Sequence, residues 1–348
     1  DGRYHWLFLS TKESSFVSSW ARWNFSGYEG KPAYPEYHDI VQTMDELGQS
    51  NGFGRAMWEH EEQHDRYGTP MALMLLPFWT DGCIGSMEGL FFEASATTPF
   101  HFLNQDELSF GASNAQRDLP YVPGPPDQTQ FDLGVQHLQM LGVKYYMAIT
   151  DQMISYGQKN SSLKQVAASG PWVVFEVADS PLIEPFDNNP AVLTGVAPKK
   201  WLGAVTPWYL DPTAWNVWPA AGGPDSWQRI VQGETPTATP TTPMAVTNIA
   251  TGTDSISFDV TRPGTPILVK FSYFPNWEVS GAQGPWRVGP NLMVVVPTSY
   301  HVELSYGRTM TDWLGILMTL TGLAGVVVLA KASPLELRRP QRRRAMVL

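Results

Sequence analysis

Residues 60–64 read His-Glu-Glu-Gln-His, a literal H-E-x-x-H. On a helix this spacing sets two imidazoles one turn apart, placed to hold zinc, with Glu61 beside them as a base. His60 and His64 are therefore the metal-ligand candidates, with Glu88 as a conceivable third ligand that no motif supports. The surroundings favour a plainer reading. Glu59, Glu62 and Asp65 make the run acidic, and it is short, held between "FGRAMW" and the breaker "YGTP". A solvated charged turn is the competing expectation.

A second constellation lies in "SMEGLFFEASATTPFHF", which sets Glu88, Glu93 and His101 among apolar residues. A carboxylate in such surroundings is either paired or has a raised pKa, which is how acid/base sites are often built. These three are the catalytic candidates; the alternative is a carboxylate that bonds to backbone at a loop. A third group, "VTPWYLDPTAWNVWP", clusters Trp208, Tyr209, Asp211, Trp215 and Trp218. An indole stacks on a pyranose face while a neighbouring Asp takes hydroxyls, so Trp208, Asp211, Trp215 and Trp218 are the substrate-binding candidates. The same rings would equally pack two lobes together or rest on a membrane interface. No Walker loop, G-x-G-x-x-G after a strand, G-x-S-x-G or cysteine-based metal spacing is present.

The elements that must position these groups divide along the chain. The helical spacing of "YPEYHDIVQTMDELGQS" puts Ile40, Met44 and Leu47 on one face, and "FDLGVQHLQML" is a second helix closed by Gly142. Val143–Ile149 and Trp172–Val177 read as buried strands. Residues 1–232 thus form an α+β domain. The Pro/Thr-rich "GETPTATPTTP" at 233–243 reads as a linker. Residues 244–308 follow as a β-sandwich-like module, with alternating strands at Asp254–Val260 and Tyr300–Tyr306 and further strands over Thr265–Phe274 and Asn291–Pro297.

Trp313–Ala330 then runs 18 residues without a charge, at the short end of what crosses a hydrocarbon core about 30 Å thick. The expected transmembrane helix is 311–331, and 332–348 is a basic tail. Six basic residues and the single acid Glu336 give the segment from Lys331 onward +5 of a formal net charge of −10, so the body before it carries −15. Positive residues stay inside, which places the tail in the cytoplasm and the bulk of the chain outside the cell membrane. An acidic body argues against nucleic acid, and a lone cysteine, Cys83, excludes an intrachain disulfide. The opening "DGRYHWLFLS" has neither an initiator Met nor a signal pattern, so membrane spans are expected upstream.

Two stretches carry a resemblance: "LGVKYYMAIT" with "GPWVVFEVADSPLIEP", and "ILVKFSYFPNWEVSGAQGPWRVGPNLMVVVPTSYHVELSYG" directly before the span. Both resemble the outer domains of the YfhO-like bacterial membrane proteins, also labelled 6-pyruvoyl-tetrahydropterin synthase-related. Tyr273, Pro275, Trp277, His301, Val302 and Tyr306 match the family's structural pattern, while "TSY" replaces the glycine that usually precedes the histidine. The resemblance implies the C-terminal, extracytoplasmic part of a polytopic GT-C-type glycosyltransferase acting in cell-envelope glycan assembly with a polyprenyl-phosphate sugar donor. It carries no catalytic residue onto this chain, because the family's acid lies in an N-terminal outer loop. The implied partners are the lipid bilayer, a polyprenyl-linked sugar and envelope glycan. No cofactor is expected on this chain, and any divalent metal would belong to the rest of the complete protein. The alternatives are a non-catalytic envelope protein that binds glycan or a partner, and a zinc hydrolase built on His60, Glu61 and His64.

Overall fold

The computed structural model describes residues 5–6, 9–10, 16–87, 96–111 and 125–331. A two-stranded hairpin, β1 (His5–Trp6) and β2 (Leu9–Ser10), precedes helices α1 (Phe16–Phe25) and α2 (Tyr34–Asn51). α2 forms on the expected face: Ile40 and Met44 are fully buried, Tyr37 joins them one turn earlier, and Leu47 packs at the margin of the same core. Strand β3 (Gly54–Trp58) leads through two 3-10 turns and α3 (Leu76–Trp79) to β4 (Ile84–Ser86). Helices α4 (Thr98–Glu107) and α5 (Gln128–Leu141) then return the chain to β5 (Tyr145–Ala148), followed by α6 (Asp151–Lys159), β6 (Leu163–Ser169) and β7 (Trp172–Val177).

α5 has both of its ends written in the sequence. The Asp127 carboxylate accepts from the Gln130 N–H and the Gln130 side chain accepts from the Asp127 N–H, a reciprocal capping box. Gly142 ends the helix at φ 67°, the left-handed position that favours glycine. The five strands pair in the order β4-β3-β5-β7-β6, with β3 parallel to both β4 and β5, and β7 antiparallel to both β5 and β6. Both faces of this sheet are covered. Trp58, Tyr145, Met147 and Trp172 pack toward α2, while Met57, Tyr146 and Phe175 pack toward α5 and α6. This two-sided burial explains why β5 and β7 read as near-continuous apolar runs.

The remainder adds β8 (Ile183–Pro185), β9 (Ala191–Leu193), α7 (Trp201–Tyr209), β10 (Pro219–Ala220), β11 (Arg229–Ile230), β12 (Val246–Thr251), β13 (Ser255–Val260), β14 (Ile267–Val269), β15 (Trp277–Ser280), β16 (Ala282–Val288), β17 (Leu292–Pro297) and β18 (His301–Tyr306). Among the described residues these form a seven-stranded sheet, β11-β9-β10-β16-β17-β14-β8, and a four-stranded sheet, β12-β13-β18-β15. Ile267, Val269, Met293 and Val295 of the first share one buried cluster with Ile256, Phe258, Val302 and Leu304 of the second.

The sheet pairing differs from the division expected at 233–243. Strands from before that segment (β8 to β11) and after it (β14, β16, β17) belong to one sheet. The Pro/Thr-rich segment forms no named strand, yet its backbone is tied down: Asn189 N–H donates to the Thr239 carbonyl and Thr241 N–H to the Asp187 carbonyl, both at 2.9 Å. Its prolines deny it a regular ladder, but individual backbone groups still find partners on the connection between β8 and β9.

Helix α8 (Met310–Lys331) closes the described chain. By length and composition it can cross a membrane: it has 22 residues, an 18-residue stretch of them with a mean hydropathy of 2.1, and no buried side chain. The chain is therefore an α+β protein with one candidate apolar span among its described residues.

Candidate functional site

The H-E-x-x-H residues do not share a helix. β3 stops at Trp58, Glu61 is extended (φ −147°, ψ 130°), and a 3-10 turn begins only at Glu62. His60 is half-buried on the extended side, while His64 is buried between Tyr67 and Trp172, with ring centroids 5.8 and 5.0 Å away. The predicted pairing of two imidazoles on one helical face is thereby corrected. Among the described residues, no group of three or more His, Cys, Asp or Glu is placed to hold a metal.

Burial pushes the His64 pKa down to about 3, helped by the charges of His60 and Arg66 and opposed only in part by the Pro70 backbone. Its folded pKa lies below the unfolded value, so the stabilisation is complete above about pH 6.5 and is lost as pH falls toward 3. We expect His64→Phe, which keeps a ring between Tyr67 and Trp172, to reduce this acid sensitivity. At pH 4.5 the variant should retain roughly 2 kcal/mol more of its neutral-pH stability than the wild type, read from thermal melts at the two pH values.

The acid next to this motif is held more firmly. Glu59 is 0% exposed and sits where the parallel strands β3 and β5 end side by side. One carboxylate oxygen accepts from the N–H groups of Ile149 (2.8 Å) and Thr150 (2.9 Å). The other accepts from the Thr150 hydroxyl (2.6 Å) and the Phe110 N–H (3.3 Å). Burial raises its pKa and these four bonds oppose the rise. β3 has β4 on one side and β5 on the other, so the chain reverses its winding direction here. Open parallel sheets bind ligands at such a point, but in this protein Glu59 fills it.

Another candidate site lies at the opposite end of β3. A cavity of about 690 Å³ is enclosed by that strand end, α4, the loop after β14 and the end of β18. His101, the catalytic candidate from α4, lines it and is 2% exposed. Glu88 and Glu93 fall outside the described residues.

Two cations face this cavity. Arg55 Nη1 donates to the Leu141 carbonyl at 2.9 Å and its guanidinium lies 4.5 Å from the centre of the Phe271 ring. It has no carboxylate partner among the described residues, and burial alone pulls its pKa to about 10, so it is charged at neutral pH. Lys270 is buried, with Nζ 2.8 Å from a Glu184 oxygen and 2.8 Å from the Gln139 carbonyl. Burial lowers its pKa, Glu184 opposes that, and Arg55 adds to it.

The rim of the cavity is aromatic. Trp277 and Tyr306 meet edge to face at 5.3 Å, and Phe274 lies 6.3 Å from Tyr306. Tyr306 is the last residue of β18, and the short turn after it starts α8. Asn276 Nδ2 bonds to the Gly307 carbonyl at 3.1 Å and to Asp312 at 3.2 Å, tying the rim to the foot of that helix. Asp254 also lines the cavity and Lys270 is already paired with Glu184, so the charge available to an anionic group is that of Arg55, with an apolar remainder beside the helix.

The Trp cluster has a different setting. Trp208 Nε1 donates to the Ala214 and Val217 carbonyls, both at 3.1 Å, and Trp215 Nε1 to the Trp208 carbonyl at 2.9 Å. Trp218 lies between Trp208 (4.9 Å) and Phe186 (5.6 Å). Asp211 accepts from the N–H and hydroxyl of Thr213, capping the turn Pro212–Ala214. Trp208 and Asp211 border a cavity of about 540 Å³ beside residues 231–236, separate from the one that His101 lines.

Sequence reasoning missed Arg55 and Lys270. The available signal was a charge inside an otherwise apolar strand: Lys270 follows Ile267–Val269 directly, and Arg55 opens "RAMW". No protein-family model, curated protein or solved structure matches the chain.

Proposed function

We propose that this chain is the C-terminal part of a GT-C-type, YfhO-like membrane glycosyltransferase acting in cell-envelope glycan assembly. In this reading α8 spans the membrane with the basic tail in the cytoplasm, and the two sheets around Phe258 form a sandwich on the outer surface. The cavity at the foot of α8 receives the phosphorylated head of a polyprenyl-linked sugar, and the reacting acid lies on another part of the complete protein. The observation that supports this reading is the un-neutralised Arg55, beside Lys270, in a cavity tied to an apolar helix of spanning length. In an acidic chain a partly buried cation with no carboxylate partner among the described residues is costly to keep, and a bound phosphate would compensate it.

The test uses the full chain in nanodiscs, titrated with a polyprenyl phosphate and with the matching uncharged polyprenol. Arg55→Gln should weaken the phosphate by at least about tenfold, the scale of a lost charge-assisted bond, and leave polyprenol unchanged. Equal binding of the two lipids, or no effect of the substitution, would overturn the assignment. Binding without sugar transfer by the complete protein would favour an envelope glycan-binding role instead.

A further inference from the structure

Next to the first cavity, across Phe274, lies a second of about 510 Å³. Its walls are Trp286 and Arg287 from β16, Trp201 at the start of α7, Tyr273 and three prolines, with Asn291 at its edge. Three features of this cavity bear on what it could bind.

First, Arg287 is nearly unpartnered. Its hydrogen bond is a long one from Nη1 to the Pro198 carbonyl at 3.4 Å, and its Nε is buried with no acceptor. Among the described residues no carboxylate pairs with it, although Asp and Glu outnumber Lys and Arg by 33 to 23 along the chain. Burial lowers its pKa to about 10, so it is charged at neutral pH. Second, the guanidinium is already oriented, lying 5.3 Å from the centre of the Trp201 ring, whose own N–H is satisfied by the Gly289 carbonyl at 3.0 Å. Third, the Trp286 indole is half-buried and fixed. Trp227 meets it edge to face at 5.7 Å, and it lies so close to Gly222 that a Cβ there would sit 2.7 Å from the ring.

A rigid indole face beside an oriented, uncompensated guanidinium fits a ring with one apolar face and one anionic substituent. The C–H face of a pyranose covers an indole, and the planar fork of arginine takes a carboxylate or phosphate with two parallel bonds. We propose that this second cavity is a binding site for an anionic pyranose unit of a glycan, with the sugar face on Trp286 and the carboxylate or phosphate on Arg287. The site does not depend on the lipid-phosphate assignment of the first cavity.

The test is isothermal titration of the full chain in nanodiscs with trigalacturonate, mannose 6-phosphate, neutral galactotriose and AMP. At least one of the two acidic sugars should bind about tenfold or more tighter than the neutral trisaccharide, and which one it is separates a uronate from a sugar phosphate. Arg287→Gln should reduce that ligand to the neutral level, Trp286→Ala should weaken all sugars, and the exposed control Lys164→Gln should change nothing. Raising NaCl from 50 to 500 mM on the unaltered chain should weaken the acidic ligand and spare the neutral one, which tests the charge contact without a substitution. No acidic preference at low salt, no effect of Arg287→Gln, or tighter binding of AMP than of either acidic sugar would overturn the proposal.

Discussion

Glu59→Ala should cost on the order of 4 kcal/mol of folding stability, because it removes the acceptor for three backbone N–H groups and a hydroxyl at one buried point. The N–H groups of Ile149 and Thr150 belong to the turn that starts α6, and that of Phe110 to the segment after α4. The substitution therefore loosens three junctions together. Glu59→Gln should cost only about 1–2 kcal/mol. Its oxygen can keep the two close bonds to Ile149 and Thr150, while its amide turns to the Thr150 hydroxyl, which can accept; the contact that suffers is the longer one to Phe110. Urea unfolding followed by tryptophan fluorescence reads both variants. Equal losses for Ala and Gln would mean that the negative charge, not the acceptor geometry, holds the junction. Domains commonly have only about 5–15 kcal/mol in total, so the Ala variant should be visibly fragile.

How much of this architecture was legible depended on element length. α2, α5, β7 and β18 follow from sequence because each is long enough to show a period or carries its own punctuation, such as Asp127, Gln130 and Gly142 around α5. The strands β8 to β11 are two or three residues each and show no period at all. Their pairing with β14, β16 and β17 is a tertiary fact, and missing it put the expected domain boundary at the Pro/Thr-rich segment. β14 is shorter than the expected Thr265–Phe274 for a related reason. The apolar run continues past Val269, but after the Lys270 N–H has paired with the Leu182 carbonyl the chain turns, with the Phe271 N–H donating back to the Val269 carbonyl.

The candidate site was less legible than the fold. A local motif drew attention to His60 and His64, yet local spacing matters only if the backbone is regular there, and the end of β3 breaks it. Arg55, Lys270 and Arg287 are far apart in sequence and meet cavities that only the folded chain creates. What marks them is a mismatch between charge and burial. That mismatch is visible in sequence as a lone cation among apolar residues; for Arg55 and Arg287 it becomes informative once no acidic partner is found among the described residues, whereas Lys270 is paired with Glu184.

The same logic identifies the second large effect, at a residue that looked ordinary in sequence. His137 on α5 is 0% exposed, and Nδ1 lies 2.7 Å from a Glu107 oxygen while Nε2 lies 2.9 Å from the Tyr209 carbonyl. Its ring stacks on Tyr209 at 3.8 Å and 5°, so one side chain joins α5, α4 and α7. His137→Leu keeps most of the volume but leaves Glu107, only 10% exposed, with Asn104 at 3.2 Å as its remaining partner among the described residues. The Tyr209 carbonyl is better protected, because Trp215 Nε1 also reaches it at 3.2 Å. The loss is therefore dominated by the carboxylate and should be about 3 kcal/mol, with the lost stacking included. The double variant His137→Leu with Glu107→Leu should recover part of it, since replacing both partners removes the orphaned charge rather than exposing it. A double variant no more stable than His137→Leu alone would show that the stack on Tyr209, not the ion pair, fixes α4 and α5 on α7. Because α4 carries His101 into the first cavity, the single variant should also weaken the polyprenyl-phosphate binding proposed for that cavity.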